Sequence, residues 1–177
     1  MQQLNQNFFS IFELPESFDL DLERLTSKYR ELQTEVHPDK FAAAGEQEKL
    51  RAVQMTSYLN EAFTTLKTPL KRAAYILQLH NFDTESVSQN DLGMDLLIEQ
   101  MQLRESLDEL PKDDSALPQL EQLKKDVTNR LAEKRTDFAR EVEQGDLTSA
   151  KKIFHELQFL EKLLTEVASG EEQRLGY

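Results

Sequence analysis

The sequence predicts an all-α protein built of two helical parts. Its 177 residues include only 5 glycines and 5 prolines, too few for the frequent turns of a β-sandwich or barrel. Charged residues make up 31% of the chain and apolar residues 38%, a mixture typical of helices with long polar faces. Apolar residues recur at helical spacing over most of the chain, and caps or prolines separate the segments. We therefore expect helices and no β-sheet.

The first long helix is predicted from about Leu22 to Val36, after a short apolar segment that Pro15 ends. Asp21 precedes it and suits an N-cap. Residues at helical spacing form its predicted buried stripe: Leu22, Leu25, Tyr29, Leu32 and Val36. Charged residues fall on the opposite face: Arg24, Lys28, Glu31 and Glu35.

A loop is predicted from His37 to about Gly45, because Pro38 disfavours helical geometry in the residue before it. Proline also restricts the backbone, so His37-Pro38-Asp39 becomes a stiff polar tip between two helices. Such a tip suits binding to a partner surface, although the tripeptide alone also fits an ordinary solvated turn. A second long helix follows, about Glu46 to Leu66, with this predicted core: Leu50, Val53, Leu59, Ala62, Phe63 and Leu66.

Another helix starts at Thr68-Pro69, and the polar residues 81–92 then read as an inter-domain linker. Beyond the linker, helical patterns run from about Met94 to Leu110, from about Leu117 to Val142, and from Asp146 to about Arg174. Three long helices with short connections predict an antiparallel bundle. The predicted domains are therefore 1–80 and 93–177, joined by 81–92.

The helix from Met94 has two apolar faces. Its core stripe consists of Leu96, Leu103, Leu107 and Leu110, and its second face of Met94, Leu97, Ile98 and Met101. In the last helix, Phe159 points away from the predicted core stripe: Ile153, Leu157, Leu160, Leu164 and Val167. These extra apolar residues predict either a partner surface with an acidic rim or packing on a neighbouring element. Periodicity alone leaves both interpretations open.

Charge and composition argue against several classes of function. The formal net charge is −12, divided into −2 over residues 1–80 and −10 over residues 81–177, which disfavours nucleic acid. There is no cysteine, and His37, His80 and His155 are far apart, so we expect no metal site and no cofactor. We expect surface or helix-end roles for His80 and His155. A phosphate-binding glycine-rich loop is also missing, so an enzyme is not expected.

No apolar stretch approaches the length of a membrane span, and the N-terminus lacks a signal-peptide pattern. We therefore expect a cytoplasmic protein without a membrane partner, and a monomer rather than a homo-oligomer.

Several segments together resemble the HscB-type J-domain co-chaperones of iron–sulfur cluster assembly. The resemblance is carried by 36–41 around His37-Pro38-Asp39, 59–63 (Leu-Asn-Glu-Ala-Phe), 65–69 (Thr-Leu-Lys-Thr-Pro), 72–77 (Arg-Ala-Ala-Tyr-Ile-Leu) and 99–109. It covers the chain from about Phe8 to Leu175. The resemblance implies an N-terminal J-domain followed by a C-terminal three-helix bundle.

The resemblance also implies two protein partners. The J-domain is expected to stimulate ATP hydrolysis by an HscA-type chaperone of the DnaK class, through His37, Pro38 and Asp39 with help from Arg24 and Lys28. The bundle is expected to bind the iron–sulfur scaffold protein IscU through these residues: Leu97, Ile98, Met101, Glu105, Glu109 and Phe159. The alternative is a generic J-domain protein whose bundle binds another client or dimerises, and composition does not separate the two.

Overall fold

The computed structural model describes residues 6–88 and 91–176. Three short stretches lie outside the described residues: 1–5 and 177, at the ends of the two predicted domains, and 89–90 in the predicted linker. Every regular element within the described ranges is a helix, which confirms the all-α prediction. None of the helices in these ranges is both long enough and apolar enough to span a bilayer.

The chain divides into two compact units, Met1–Ile76 and Leu77–Tyr177. The predicted linker at 81–92 lies between the end of α4 (Pro69–Leu79) and the start of α5 (Met94–Asp108). The domain limits 1–80 and 93–177 stay a prediction.

The first unit contains α1 (Phe8–Ile11), α2 (Leu22–Val36), α3 (Glu46–Lys67) and most of α4. The Asp21 side chain accepts a hydrogen bond from Arg24 N–H, so α2 begins at the predicted cap. The core of this first unit holds large aromatic and aliphatic side chains together with small alanines: Phe9, Ile11, Phe12, Leu14, Phe18, Leu25, Ala52, Leu59, Ala62, Leu66, Ala73 and Ile76.

α2 and α3 form a hairpin that presents the loop between them. The Tyr29 and Phe63 rings stack with centroids 4.1 Å apart, and the Tyr29 hydroxyl donates a hydrogen bond of 2.6 Å to Asn60 Oδ1. These contacts fix the middle of α2 against the C-terminal third of α3. The two helix ends that carry the loop are thereby held together.

Three residues predicted in the core of this hairpin are exposed instead. Leu22 is 47%, Leu50 58% and Val53 54% accessible. The buried face of α3 is defined by Ala52, Leu59, Ala62 and Leu66, and at about 100° per residue Leu50 and Val53 fall on the opposite side. The prediction was wrong because it favoured large apolar residues over the small Ala52, which the helix pair buries.

The second unit contains α5, α6 (Leu117–Gln144) and α7 (Leu147–Leu175). Gly145 adopts the left-handed region, with φ of 81°, and ends α6. The Asp146 side chain then accepts a hydrogen bond from Ser149 N–H and caps α7. This tight turn makes α6 and α7 an antiparallel pair, and α5 packs on α7, as the predicted bundle requires.

Ion pairs lie along the contacts between these helices. They connect Lys124 with Glu171, Lys134 with Glu156, Arg135 with Glu161, Arg104 with Glu166 and Arg130 with Glu99. Lys124, near the start of α6, pairs with Glu171 near the end of α7, whereas Lys134, further along α6, pairs with Glu156, nearer the start of α7. This order is the one that antiparallel helices require. Because most of these side chains are partly exposed, the pairs contribute more to register than to stability.

The core of α7 differs in detail from the predicted stripe. Leu157, Leu160 and Val167 are buried as predicted, whereas Ile153 and Leu164 are half-buried. His155 is only 4% accessible, so the expected surface role was wrong. Its Nδ1 lies 3.0 Å from Gln158 Oε1. His80 is exposed just after α4, in agreement with a helix-end position.

Candidate functional site

The His37-Pro38-Asp39 loop is a compact, solvent-facing turn. His37 ends α2 with a φ of −57° and a ψ of 128°, and Pro38 starts a 3-10 turn, Pro38–Phe41. Asp39 N–H donates a hydrogen bond of 3.2 Å to His37 Nδ1, and Lys40 N–H donates one of 3.0 Å to the His37 carbonyl. The His37 side chain is 52% exposed and that of Asp39 92%. Local bonds therefore fix the turn and leave its imidazole and carboxylate accessible.

The two basic residues predicted to assist this loop already have partners in their own unit. Arg24 Nη2 donates a hydrogen bond of 3.1 Å to the Glu13 carbonyl. Lys28 Nζ lies 2.6 Å from the Glu13 carboxylate and 3.6 Å from that of Glu31. The hydrogen bond from Lys28 lowers the pKa of Glu13, and Glu13 in turn raises the pKa of Lys28. A docking partner must therefore compete with Glu13 for both cations.

Two further basic residues, one in the loop and one on α2, were not among those predicted to assist it. Arg30 and Lys40 are both exposed, and Lys40 lines a shallow surface hollow together with His37. Arg30 precedes His37 by seven residues, which is two helical turns, so both project from one side of α2. This spacing was readable in the sequence. The prediction named only Arg24 and Lys28, which lie opposite the predicted buried stripe.

The second apolar face of α5 is open to solvent. Leu97 is 39%, Ile98 47% and Met101 63% accessible, and Glu105 and Glu109 of the same helix region are exposed. Of the two interpretations left open by periodicity, the exposure favours a partner surface.

Phe159 is not part of that open face. It is half-buried and lines a hollow of about 290 Å³ together with Leu96 and Leu103 of α5. These two leucines belong to the predicted core stripe of α5, but they are only half-buried, and no residue of this helix is fully buried. Leu97, Ile98 and Met101 do not line this hollow. The six predicted scaffold-binding residues therefore divide into four on the outer part of α5, Glu109 at its C-terminal cap, and Phe159 in the hollow between the helices.

The chain is similar to known proteins over most of its length. A family model described as the HSCB C-terminal oligomerisation domain matches residues 92–168. A co-chaperone protein HscB homolog from Shewanella amazonensis is 38% identical over 172 residues, which span 96% of this chain and 99% of that protein.

Solved structures resemble the fold over nearly the whole chain. The chaperone HscB from Vibrio cholerae has a TM-score of 0.83 and 34% identity, covering 95% of this chain and 99% of that one. The human co-chaperone protein HscB has a TM-score of 0.82 and 26% identity, covering 93% of this chain and 82% of that one.

Proposed function

The chain belongs to the HscB family of co-chaperones, and from that premise we propose that it activates a DnaK-class chaperone and delivers a scaffold protein to it. The chaperone is of the HscA type, and the delivered protein is the iron–sulfur scaffold IscU. The result is faster maturation of iron–sulfur proteins. We place this activity in the cytoplasm.

One observation supports the activating role above all others: the His37-Pro38-Asp39 turn is both rigid and exposed. A preformed loop loses little conformational entropy when it binds. Most of the free energy of its contacts is therefore available to stabilise the chaperone conformation that hydrolyses ATP. The chemistry takes place on the chaperone, and the co-chaperone shifts a conformational equilibrium.

The scaffold is proposed to bind the second unit at the open face of α5, where apolar side chains have an acidic border. Leu97, Ile98 and Met101 supply the apolar contact, and Glu105 and Glu109 supply the charged rim. Phe159 contributes from the neighbouring hollow. Because the two partners bind different units of one chain, the scaffold's effective concentration at the chaperone rises.

The decisive substitution for the activating role is His37→Gln. We expect it to reduce the stimulation of chaperone ATPase about tenfold or more, because a central contact residue dominates binding energy. Folding should be unaffected, within about 0.5 kcal/mol, since the side chain is exposed. The measurement is steady-state ATP hydrolysis by the chaperone as the co-chaperone concentration is varied.

The same substitution at another exposed histidine is the matched control. His80→Gln leaves the loop intact and should retain full stimulation. Equal stimulation by the wild type and His37→Gln would contradict the proposal, and so would unfolding of His37→Gln in circular dichroism, because His37 would then be structural.

A second candidate role for the C-terminal unit is self-association. The description of the matching family model as an oligomerisation domain and the open apolar face of α5 both favour it. Sedimentation of the purified protein over a range of concentrations separates the two roles. We expect a monomer that sediments faster only when the scaffold is added.

A further inference from the structure

The exposed apolar surface does not stop at the start of α5. Met94 is 72% and Val87 51% accessible. Both side chains line an open hollow of about 600 Å³, whose other lining residues are Leu92, Leu97 and the small Ser88 and Gly93. Leu97 also belongs to the α5 face proposed to bind the scaffold, so the hollow and that face are continuous.

A buried ion pair holds the chain that forms this hollow. Asp91 is only 7% accessible. Its Oδ2 accepts hydrogen bonds of 2.7 Å from both the N–H and the hydroxyl of Ser88 and lies 3.1 Å from Lys151 Nζ of α7. Because α7 is packed along most of its length, this pair anchors the residues next to Val87 and Leu92. A surface anchored in this way is preorganised for binding.

The charge around the hollow indicates what kind of partner it fits. Residues 81–103 contain no lysine or arginine but five acids. Asp91 and Glu99 are paired with Lys151 and Arg130. Asp83 is exposed but also interacts with Lys151, whereas Glu85 and Asp95 are exposed. A second copy of the chain would bring the same acids against each other. A partner with an apolar side chain flanked by lysine or arginine complements the surface.

We infer that the scaffold-binding surface extends beyond α5 into this hollow, where Val87, Leu92, Met94 and Leu97 receive an apolar side chain of the scaffold from a basic region of its surface. The inference rests on the proposed function and adds a contact to it. It assigns Val87 and Met94 to the interface, and it gives the Asp91–Lys151 pair the role of positioning them.

The test compares the affinity of single variants for an apo IscU-type scaffold protein by titration calorimetry. We expect Val87→Ala and Met94→Ala each to raise Kd about fivefold or more, as expected for truncation of a buried interface side chain. Val53→Ala is the matched control, because Val53 is as exposed as Val87 but lies in the other unit. It should change Kd by less than about twofold.

Leu97→Ala separates this inference from the proposed function. If Leu97→Ala raises Kd and both Val87→Ala and Met94→Ala leave it unchanged, the extension is wrong and the proposed surface stands. If the wild type does not bind the scaffold, both are wrong. If sedimentation finds a wild-type dimer that Val87→Ala and Met94→Ala dissociate without changing the Kd for the scaffold, the occupant is a second copy and the inference is overturned.

Discussion

At the residue scale, Asp91 illustrates how one buried carboxylate can stabilise an irregular segment. Burial is the largest single influence on its pKa and raises it, but the hydrogen bonds from the Ser88 N–H and hydroxyl and from Lys151 together outweigh burial. The pKa falls from the usual 3.8 to about 2. The folded protein therefore favours the ionised form of Asp91.

This shift predicts a pH-dependent contribution to stability. Because the pKa of the folded state lies below that of the unfolded state, the contribution is complete above about pH 4 and is lost as the pH falls to about 2. At neutral pH it is on the order of 2 kcal/mol. Urea unfolding of the wild type and Asp91→Asn should differ by about that much at pH 7, and the difference should shrink towards pH 2.

Asp95→Asn is the control, because Asp95 is a nearby exposed acid. It should change the free energy of unfolding by less than about 0.5 kcal/mol. A difference between the wild type and Asp91→Asn that stays constant from pH 7 to pH 2 would show that the ionised carboxylate does not provide the stabilisation.

Some residue-level features were predictable from the sequence and others were not. Asp21 caps α2 as predicted because capping depends on a residue type directly before a helix. The pairing of Asp91 with Lys151 was not predictable, since it joins residues 60 positions apart. Glu13 adopts a φ of 53°, a conformation uncommon for a non-glycine residue, and its sequence neighbours gave no sign of it.

At the scale of single elements, α2 combines a proposed docking role with internal ion pairing. Its two predicted docking cations, Arg24 and Lys28, both contact Glu13. A chaperone carboxylate that pairs with Lys28 would compete with Glu13 for it. Arg30, by contrast, is exposed on the side of the helix shared with His37. Internal pairing therefore limits how much Arg24 and Lys28 contribute to docking.

Removing the competing carboxylate should strengthen docking. We expect Glu13→Gln to lower the co-chaperone concentration for half-maximal ATPase stimulation by about twofold at low ionic strength, since pairs at the surface are weak. Lys28→Ala in the same background should remove the gain. Glu23→Gln deletes an equal charge from the exposed side of α2 and serves as control.

If Glu13→Gln and Glu23→Gln have the same effect, only overall charge matters and Lys28 has no specific docking role. If Glu13→Gln weakens stimulation, the Glu13 contacts serve to hold α2 in place.

The helices themselves were predictable where caps and prolines mark them. α2 has the predicted ends, Leu22 and Val36, and α5 begins at Met94 as predicted but ends at Asp108 instead of Leu110. Which face of a helix is buried was less predictable. In α5 the second apolar face is exposed, whereas in α3 two large apolar residues are exposed and small alanines are buried. Periodicity identifies apolar faces, but packing against a specific neighbour decides which one is covered.

At the scale of the whole molecule, the two proposed binding surfaces lie in different compact units. The His37 loop belongs to Met1–Ile76 and the α5 face to Leu77–Tyr177. The strongly acidic second half and the nearly neutral first half fit two partners of different character. The family resemblance along the sequence was sufficient to predict the fold class. The surroundings of Phe159 were less predictable than the fold class, because helical periodicity does not reveal the hollow that its ring lines.

The proposed function requires one chain to activate the chaperone and to deliver the scaffold through separate surfaces. The most direct measurement is chaperone ATPase with the scaffold and co-chaperone together, using His37→Gln and the double variant Leu97→Ala/Met101→Ala. We predict that His37→Gln binds the scaffold normally but does not stimulate, and that the double variant stimulates alone but loses the further increase caused by the scaffold. Loss of both properties in either well-folded variant, or full synergy in the double variant, would contradict the account.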